Sequence, residues 1–353
     1  MSKISTNRER VIYFDVLRIL AIFFVMVLHI AAGSWSDTDV NSYEWSMMNF
    51  YDSISRWGVP VFVMINGSLF LSREISIERL YKKYILRLVI IFIVWSFGYS
   101  FLFNIIFSHS LKGFVSSFIK GHFHLWFLYM IIGLYMITPF LKRITEDDKL
   151  TKYFIVLALV FAVIIPEFIS IIKTFSEKYG EWAESVVNQA HLKFVLGYSM
   201  YYVLGYYLSK IDISKKNSIV IYVLGIIGFI STIALSLLIS RKTQEANSIF
   251  YDNLSLNVML ESVAVFILAK NTIHNDNLSN KAKAIIIKLS KYTLGAYLIH
   301  SLVQGFIRRV FGLFSMSFNP FFSIPLVSIL TFILSFGVSA LLSHIPIVKK
   351  YLV

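Results

Sequence analysis

Cysteine is absent from this 353-residue chain, which excludes disulfide staples, thiolate nucleophiles and Cys-ligated metals. Charge is scarce as well. Charged residues make up 15% of the chain against 57% hydrophobic, and the mean hydropathy is +0.70. That leaves too little polar surface to enclose a water-soluble core. No polar stretch is long enough for a second domain, and no internal repeat marks the inverted halves of many secondary transporters. Signatures with a soluble scaffold are missing too: there is no P-loop, no GxSxG elbow and no GxGxxG ahead of a helix.

What is present is a succession of apolar runs. With ~20 residues needed per crossing, about ten spans are expected, at 11–31, 57–72, 83–107, 125–141, 152–172, 192–209, 217–240, 249–269, 290–311 and 320–343. The expected fold is an all-α polytopic membrane helix bundle, one domain over 1–353, in a cell (plasma or inner) membrane. The first run is long, holds charges and lacks a small-residue cleavage site, so it reads as a retained helix. The net charge of +13 gathers at the ends of the runs, which points to topology and anionic lipid rather than nucleic acid. With the N-terminus inside, 21 Lys and Arg fall in inner segments, from Lys3, Arg8 and Arg10 to Lys349 and Lys350, and 10 in outer ones, among them Arg56 and Lys193. This bias and the even number of spans place both termini in the cytoplasm. Trp35, Trp45, Trp57, Trp126 and Trp182 fall where an interfacial aromatic belt is expected.

The first span, FDVLRILAIFFVMVLHI, carries Asp15, Arg18 and His29 where ionisable groups are expensive. Eleven residues are close to three helical turns, so Arg18 and His29 share a face, ~16 Å apart along the axis at ~1.5 Å per residue. Asp15 lies one turn below Arg18 and can pair with it. The plain alternative is an interfacial salt bridge and a histidine bonded to a neighbouring helix. A fixed cation and a titratable base on one face instead suggest a polar conduit. Lys83 and Arg87, one turn apart at the cytoplasmic entry of the third span, join Arg18 as candidate phosphate ligands, with ordinary positive-inside anchoring as the alternative. Asn66-Gly67 interrupts the second span, either as a polar group in the conduit or as a helix-packing site. His122, His124 and Trp126 open the fourth span at the depth of His29, and Tyr292, Tyr297 and His300 lie along the ninth. Glu261, near Asn257, is an intramembrane carboxylate, functional or bonded to a neighbouring helix in neutral form. No His pair has the i, i+4 spacing of a helical zinc site, so no metal is expected.

Five blocks in order, FDVLRILAIFFVMVLH, SRWGVPVFVMINGSLF, FHLWFLYMIIGLYMITPFL, FVLGYSMYYVLGYYL and KYTLGAYLIH, resemble the acyltransferase type 3 family of polytopic membrane acyltransferases. The resemblance implies transfer of an acyl group, usually acetyl from cytoplasmic acetyl-CoA as co-substrate, to a hydroxyl of a surface glycan or related acceptor. The family's first-helix pattern of a basic residue, ten others and a histidine falls on Arg18 and His29, and its HLWFL block on His124 to Leu128. Two positions depart from it. Tyr84, with Lys83 beside it, stands where the family often has the first arginine of an Arg-x-x-Arg pair ending at Arg87, and Asn66-Gly67 replaces a frequent Ser-Gly. Larger members carry an appended extracytoplasmic domain, for which this chain has no room.

On this basis Arg18, Lys83 and Arg87 are expected to hold the donor's phosphates and His29 to act as general base, with Asp15 and Arg18 completing the catalytic set. Asn66, Gly67, His124, Trp126, Tyr202, Glu261, Tyr297 and His300 are candidates for acceptor contact or oxyanion stabilisation. Two other functions fit the same charged face: a non-enzymatic exporter or flippase of a glycan or small molecule, and a membrane amino-acid-binding module.

Overall fold

The computed structural model describes residues 10–103, 111–189, 196–346 and 348, so Lys3, Arg8, Lys193, Lys349 and Lys350 lie outside the described residues. Among those described there is no strand. The helices are α1 (Ile12–Ala32), α2 (Tyr43–Ser53), α3 (Gly58–Leu71), α4 (Ile77–Arg79), α5 (Leu86–Phe103), α6 (Leu111–Lys120), α7 (Trp126–Thr145) and α8 (Asp148–Ala158). They continue as α9 (Ile165–Phe175), α10 (Glu177–Asn188), α11 (Ser199–Lys210), α12 (Lys215–Thr243), α13 (Leu256–Thr272), α14 (Asn280–Phe311) and α15 (Pro320–Leu342). π-helical turns at Leu80–Ile85 and Leu159–Ile164 join α4 to α5 and α8 to α9.

Eight helical stretches among the described residues are long and apolar enough to cross a membrane. The all-α polytopic membrane fold is therefore as expected. Of the ten expected spans, 290–311 falls on α14, which is not among the eight, and 192–209 starts outside the described residues and continues as α11. α11 is a 12-residue helix buried on most sides, and α14 carries Lys281, Lys283, Lys288 and Lys291 in its first half.

α1 runs through the centre of the bundle, against α2, α3, α13, α14 and α15. Leu17, Ala21, Ile22, Met26 and Ala31 are wholly buried there, so even a single lost methylene on this helix would be felt. Burial on nearly every side leaves the polar residues of α1 facing protein rather than lipid.

Two crossings bring helices unusually close. A Cβ on Gly67 of α3 would lie 1.8 Å from the Tyr202 carbonyl oxygen of α11, and one on Gly205 of α11 would lie 2.2 Å from the Met64 carbonyl oxygen of α3. Between α12 and α13, a Cβ on Gly225 would lie 2.2 Å from the Ala264 Cβ. Small residues at such points let backbones pack in contact, as helix association within lipid requires.

α2, α6 and α10 have no counterpart among the expected spans, because their sequences are too polar or too short to read as crossings. α2 is nevertheless well specified: the Ser42 side chain caps it by accepting from the Trp45 amide. The tryptophans named for the belt differ in exposure. Trp126 and Trp182 are exposed, whereas Trp45 and Trp57 are buried inside the bundle. Trp45 donates its indole N–H to the Trp35 carbonyl at 3.0 Å.

Candidate functional site

A cavity of about 570 Å³ opens beside α1 and is lined by Arg18, His29, Arg56, Asn66, Arg87, His124, Trp126, Tyr135, Asn253, Lys291 and Tyr297, among others. Arg18 and His29 thus share one polar chamber, as the three-turn spacing requires. A second cavity of about 1190 Å³ meets it, and Arg18, Asn66 and Tyr135 line both. The basic side chains lining this second cavity are Arg10, Arg18, Arg73, Lys142, Lys210 and Lys270, against the acidic Asp15, Glu74, Glu146 and Asp148. It is a net-positive vestibule.

At the junction, Asp15 is the anchor. Arg10 grips its carboxylate with two hydrogen bonds, of 2.6 and 2.7 Å, and the Ser290 hydroxyl donates to it at 2.6 Å. Arg18 lies 3.5 Å from the same carboxylate, a looser ion pair. The hydrogen bond from Arg10 to Asp15 raises the Arg10 pKa. The expected Asp15–Arg18 pair is therefore present, but Arg10 is the closer partner. Asp15 stands ~21 Å from His29 along the helix by rise alone. The structure places it as a counter-charge to Arg10 and Arg18, at the end of the cavity away from His29.

At the vestibule rim, Lys142 donates to the Glu74 carboxylate at 2.6 Å and to the Arg73 carbonyl at 2.5 Å. The Lys142 ammonium holds the Glu74 carboxyl below the usual carboxylate range. Lys270 donates to the Leu208 and Ile211 carbonyls at 2.9 and 2.5 Å.

At the other end of the cavity four imidazoles converge. His29 stacks on His300, with ring centroids 5.2 Å apart and planes at 17°. His300 meets His124 edge to face at 4.9 Å, and the Nδ1 atoms of His122 and His124 are 2.8 Å apart. His300 Nδ1 lies 2.5 Å from the Tyr297 carbonyl oxygen, which can only accept, so Nδ1 carries the proton and Nε2 of the neutral ring presents a lone pair. Among the described residues, Nε2 of His300 is buried without a hydrogen-bond partner. Buried polar atoms of this kind call for a water or ligand group. Phe123 closes the far face of His29, edge to face at 5.0 Å. No group of three or more His, Cys, Asp or Glu among the described residues is arranged to hold a metal ion.

Asn66 joins the two ends of the cavity. It accepts from the Tyr135 hydroxyl at 2.8 Å and donates from Nδ2 to the Phe62 carbonyl at 2.8 Å. Its neighbour Gly67 faces α11 and lines neither cavity. Tyr202 is likewise buried against α7, its hydroxyl 2.9 Å from that of Thr138. Glu261, wholly buried, accepts from Thr232 between α12 and α13 and lines neither cavity. Lys83 is exposed on the π turn, its ammonium 5.8 Å from the Tyr84 ring, and also lines neither cavity. Lys291, counted from sequence only as a topology charge, lines the cavity beside Ser290 in its place. Tyr297 lines the cavity, but its hydroxyl donates to the His124 carbonyl and so is not free for an oxyanion.

Sequence reasoning also passed over the ion pair of Asp52 with Arg56. The signal is an i, i+4 acid–base pair ahead of the GVP segment, in a stretch between the first two expected spans.

Such a molecule is a polytopic helical membrane protein with a cation-lined cavity ending in a histidine cluster. A family model described as an acyltransferase domain matches residues 11–343. The chain belongs to the acyltransferase type 3 family and is a membrane acyltransferase. Comparison with curated proteins and with solved structures gives no match.

Proposed function

We propose that the protein is an O-acyltransferase that moves an acyl group, acetyl by preference, from cytoplasmic acyl-CoA to a hydroxyl of a cell-surface glycan or related acceptor. The observation that carries this reading is that one 570 Å³ cavity has Arg18, Arg87 and Lys291 among its lining together with His29 and His124, and meets a basic vestibule.

Phosphates are recognised by guanidinium and ammonium donors, and the vestibule with Arg18 and Arg87 supplies them. The thin pantetheine arm then passes Asn66 and Tyr135 and brings the thioester to the histidine cluster. His29 takes the proton of the acceptor hydroxyl as its oxygen bonds to the thioester carbon. The carbon–sulfur bond breaks, and the departing thiolate takes that proton back from the His29 imidazolium and leaves as free CoA, which returns His29 to its neutral form. Asn66 is the amide donor within reach of a developing oxyanion. His124, in the same lining, is a second candidate donor in the tautomer where its Nδ1 accepts from His122 and Nε2 carries the proton. His300 fixes the plane of the base by stacking. Holding both substrates in one chamber replaces an encounter in solution with a positioned reaction.

Detergent-purified protein should transfer the label of [acetyl-¹⁴C]acetyl-CoA to a glycan acceptor. Substrate flux into vesicles without acyl-CoA, and no transfer with it, would instead support the exporter. Mass spectrometry of surface glycans from cells with and without the gene gives the mass added and its carrier.

A further inference from the structure

The histidine end of the cavity contains a cation that the transfer step does not use. Arg56 precedes α3, and two residues on, a Cβ at Gly58 would lie 3.1 Å from the Ala21 carbonyl oxygen and 3.2 Å from a Val25 methyl of α1. This packing brings the start of α3 to within about one turn of His29 on α1, and Arg56 and His29 line the same cavity.

The guanidinium is held from several sides. It forms an ion pair with Asp52, donates from Nη1 to the Tyr251 carbonyl at 3.0 Å and lies 4.1 Å above the Tyr251 ring. Tyr251 is itself tied down by a hydrogen bond from its hydroxyl to Asn49 Oδ1. The Asp52 side chain is 1% exposed and that of Arg56 17%. Arg56 Nε is buried without a hydrogen-bond partner. A buried ion pair roughly breaks even against apolar side chains of the same volume, so stability alone does not account for it. Geometry does: the pair presents a fixed fork of N–H groups, more than its two named partners use.

The rest of the lining narrows what that fork meets. Arg18, Arg56, Arg87 and Lys291 line the cavity, and among its described lining residues there is no carboxylate. A neutral polyol offers hydroxyl donors, for which carboxylates are the strong acceptors, and an amine needs an anion. This chamber supplies neither. A carboxylate or phosphate, in contrast, meets charge-assisted donors there. Beside Arg56, the Asn253 amide and the partly exposed Trp126 ring suit the hydroxyls and the apolar face of a sugar.

We infer that the acceptor is an anionic glycan, bearing a carboxylate or phosphate near the hydroxyl that is acylated, and that Arg56, fixed by Asp52, binds this group. The inference rests on the transfer reading for the placement of the acceptor beside His29. Its test is separate. The full chain in lipid nanodiscs is titrated calorimetrically with trigalacturonate, its uncharged methyl ester and galactose 6-phosphate, with acetyl-CoA as a control ligand.

Trigalacturonate and galactose 6-phosphate should each bind at least about tenfold more tightly than the ester, and the tighter of the two identifies the anion. The Asp52→Asn/Arg56→Gln protein, which leaves no orphaned buried charge, should lose the preference and keep its acetyl-CoA affinity. If that double variant fails to bind acetyl-CoA, Arg56→Lys takes its place, with a weakened preference expected. Equal affinity for charged and uncharged probes, a preference that survives the variants, or no binding of any probe overturns the assignment. A clear anion preference without acyl transfer to any acceptor contradicts the transferase reading and leaves the anion site standing.

Discussion

His29 of α1 and His300 of α14 stack with ring planes 17° apart, and the protonated Nδ1 of His300 is spent on the Tyr297 carbonyl. The proposed base therefore leans on a ring that cannot easily turn. His300→Phe keeps the stacking surface and removes the tether. Misplacing a reacting group by about 1 Å can cost ~10²-fold, so kcat should fall by up to that factor while KM for acyl-CoA stays unchanged. Steady-state kinetics that show the loss in KM instead would remove His300 from positioning the base.

Arg18 and Arg87 should behave as donor-binding residues. A hydrogen bond to a charged group contributes about 1.5–3 kcal/mol, which corresponds to roughly 10–150-fold in affinity. Arg18→Ala and Arg87→Ala are each expected to weaken acetyl-CoA binding by a factor in that range, and Lys83→Ala to leave it unchanged. Calorimetric titration of the purified proteins checks all three, and an unchanged affinity in Arg18→Ala would contradict its phosphate role.

Asp15 should prove structural. Removing one partner of a fully buried ion pair costs about 3–5 kcal/mol; the cost is smaller here because Arg10 and Arg18, which both lose their counter-charge in Asp15→Ala, are partly exposed to solvent. The expected outcome is a drop in melting temperature and in yield. Protein that does survive should retain a normal response to replacement of His29. A fully stable but inactive Asp15→Ala protein would return the carboxylate to the chemistry.

The α3–α11 crossing makes a sharper stability prediction. Gly67→Val would drive a side chain into the Tyr202 backbone, where even a Cβ sits at 1.8 Å, well beyond the ~1–3 kcal/mol typical of overpacking. It should fail to accumulate as folded protein, whereas Gly133→Ala, whose added Cβ meets nothing within 4 Å, should accumulate normally. Size-exclusion profiles of the two variants decide it.

Much of the fold was legible because lipid imposes one pattern: long apolar runs with basic ends. The shared face of Arg18 and His29 followed from helical period alone. Residues whose partners come from distant segments were not legible. Nothing local says that His122, His124 and His300 meet His29, since His300 comes from α14, which packs on α1, and His122 and His124 from the turn ahead of α7. Nor does sequence distinguish Asn66, at the meeting point of the two cavities, from Gly67, turned to α11. Lys83 looked equivalent to Arg87 because both are basic and one turn apart, yet only Arg87 reaches the cavity. Asp52 and Arg56 were missed because α2 is too polar to announce itself as part of a crossing.

The central claim, that His29 is the base of a transfer reaction fed by the cation-lined end of the cavity, is tested most directly in proteoliposomes. Labelled acetyl-CoA and a glycan acceptor are supplied to wild-type protein and to His29→Ala, and transfer and donor binding are measured on the same preparations. The account predicts that His29→Ala binds acetyl-CoA like wild type and transfers ~10²–10⁴-fold more slowly, the range a general base contributes. Transfer by His29→Ala at near wild-type rate would contradict it.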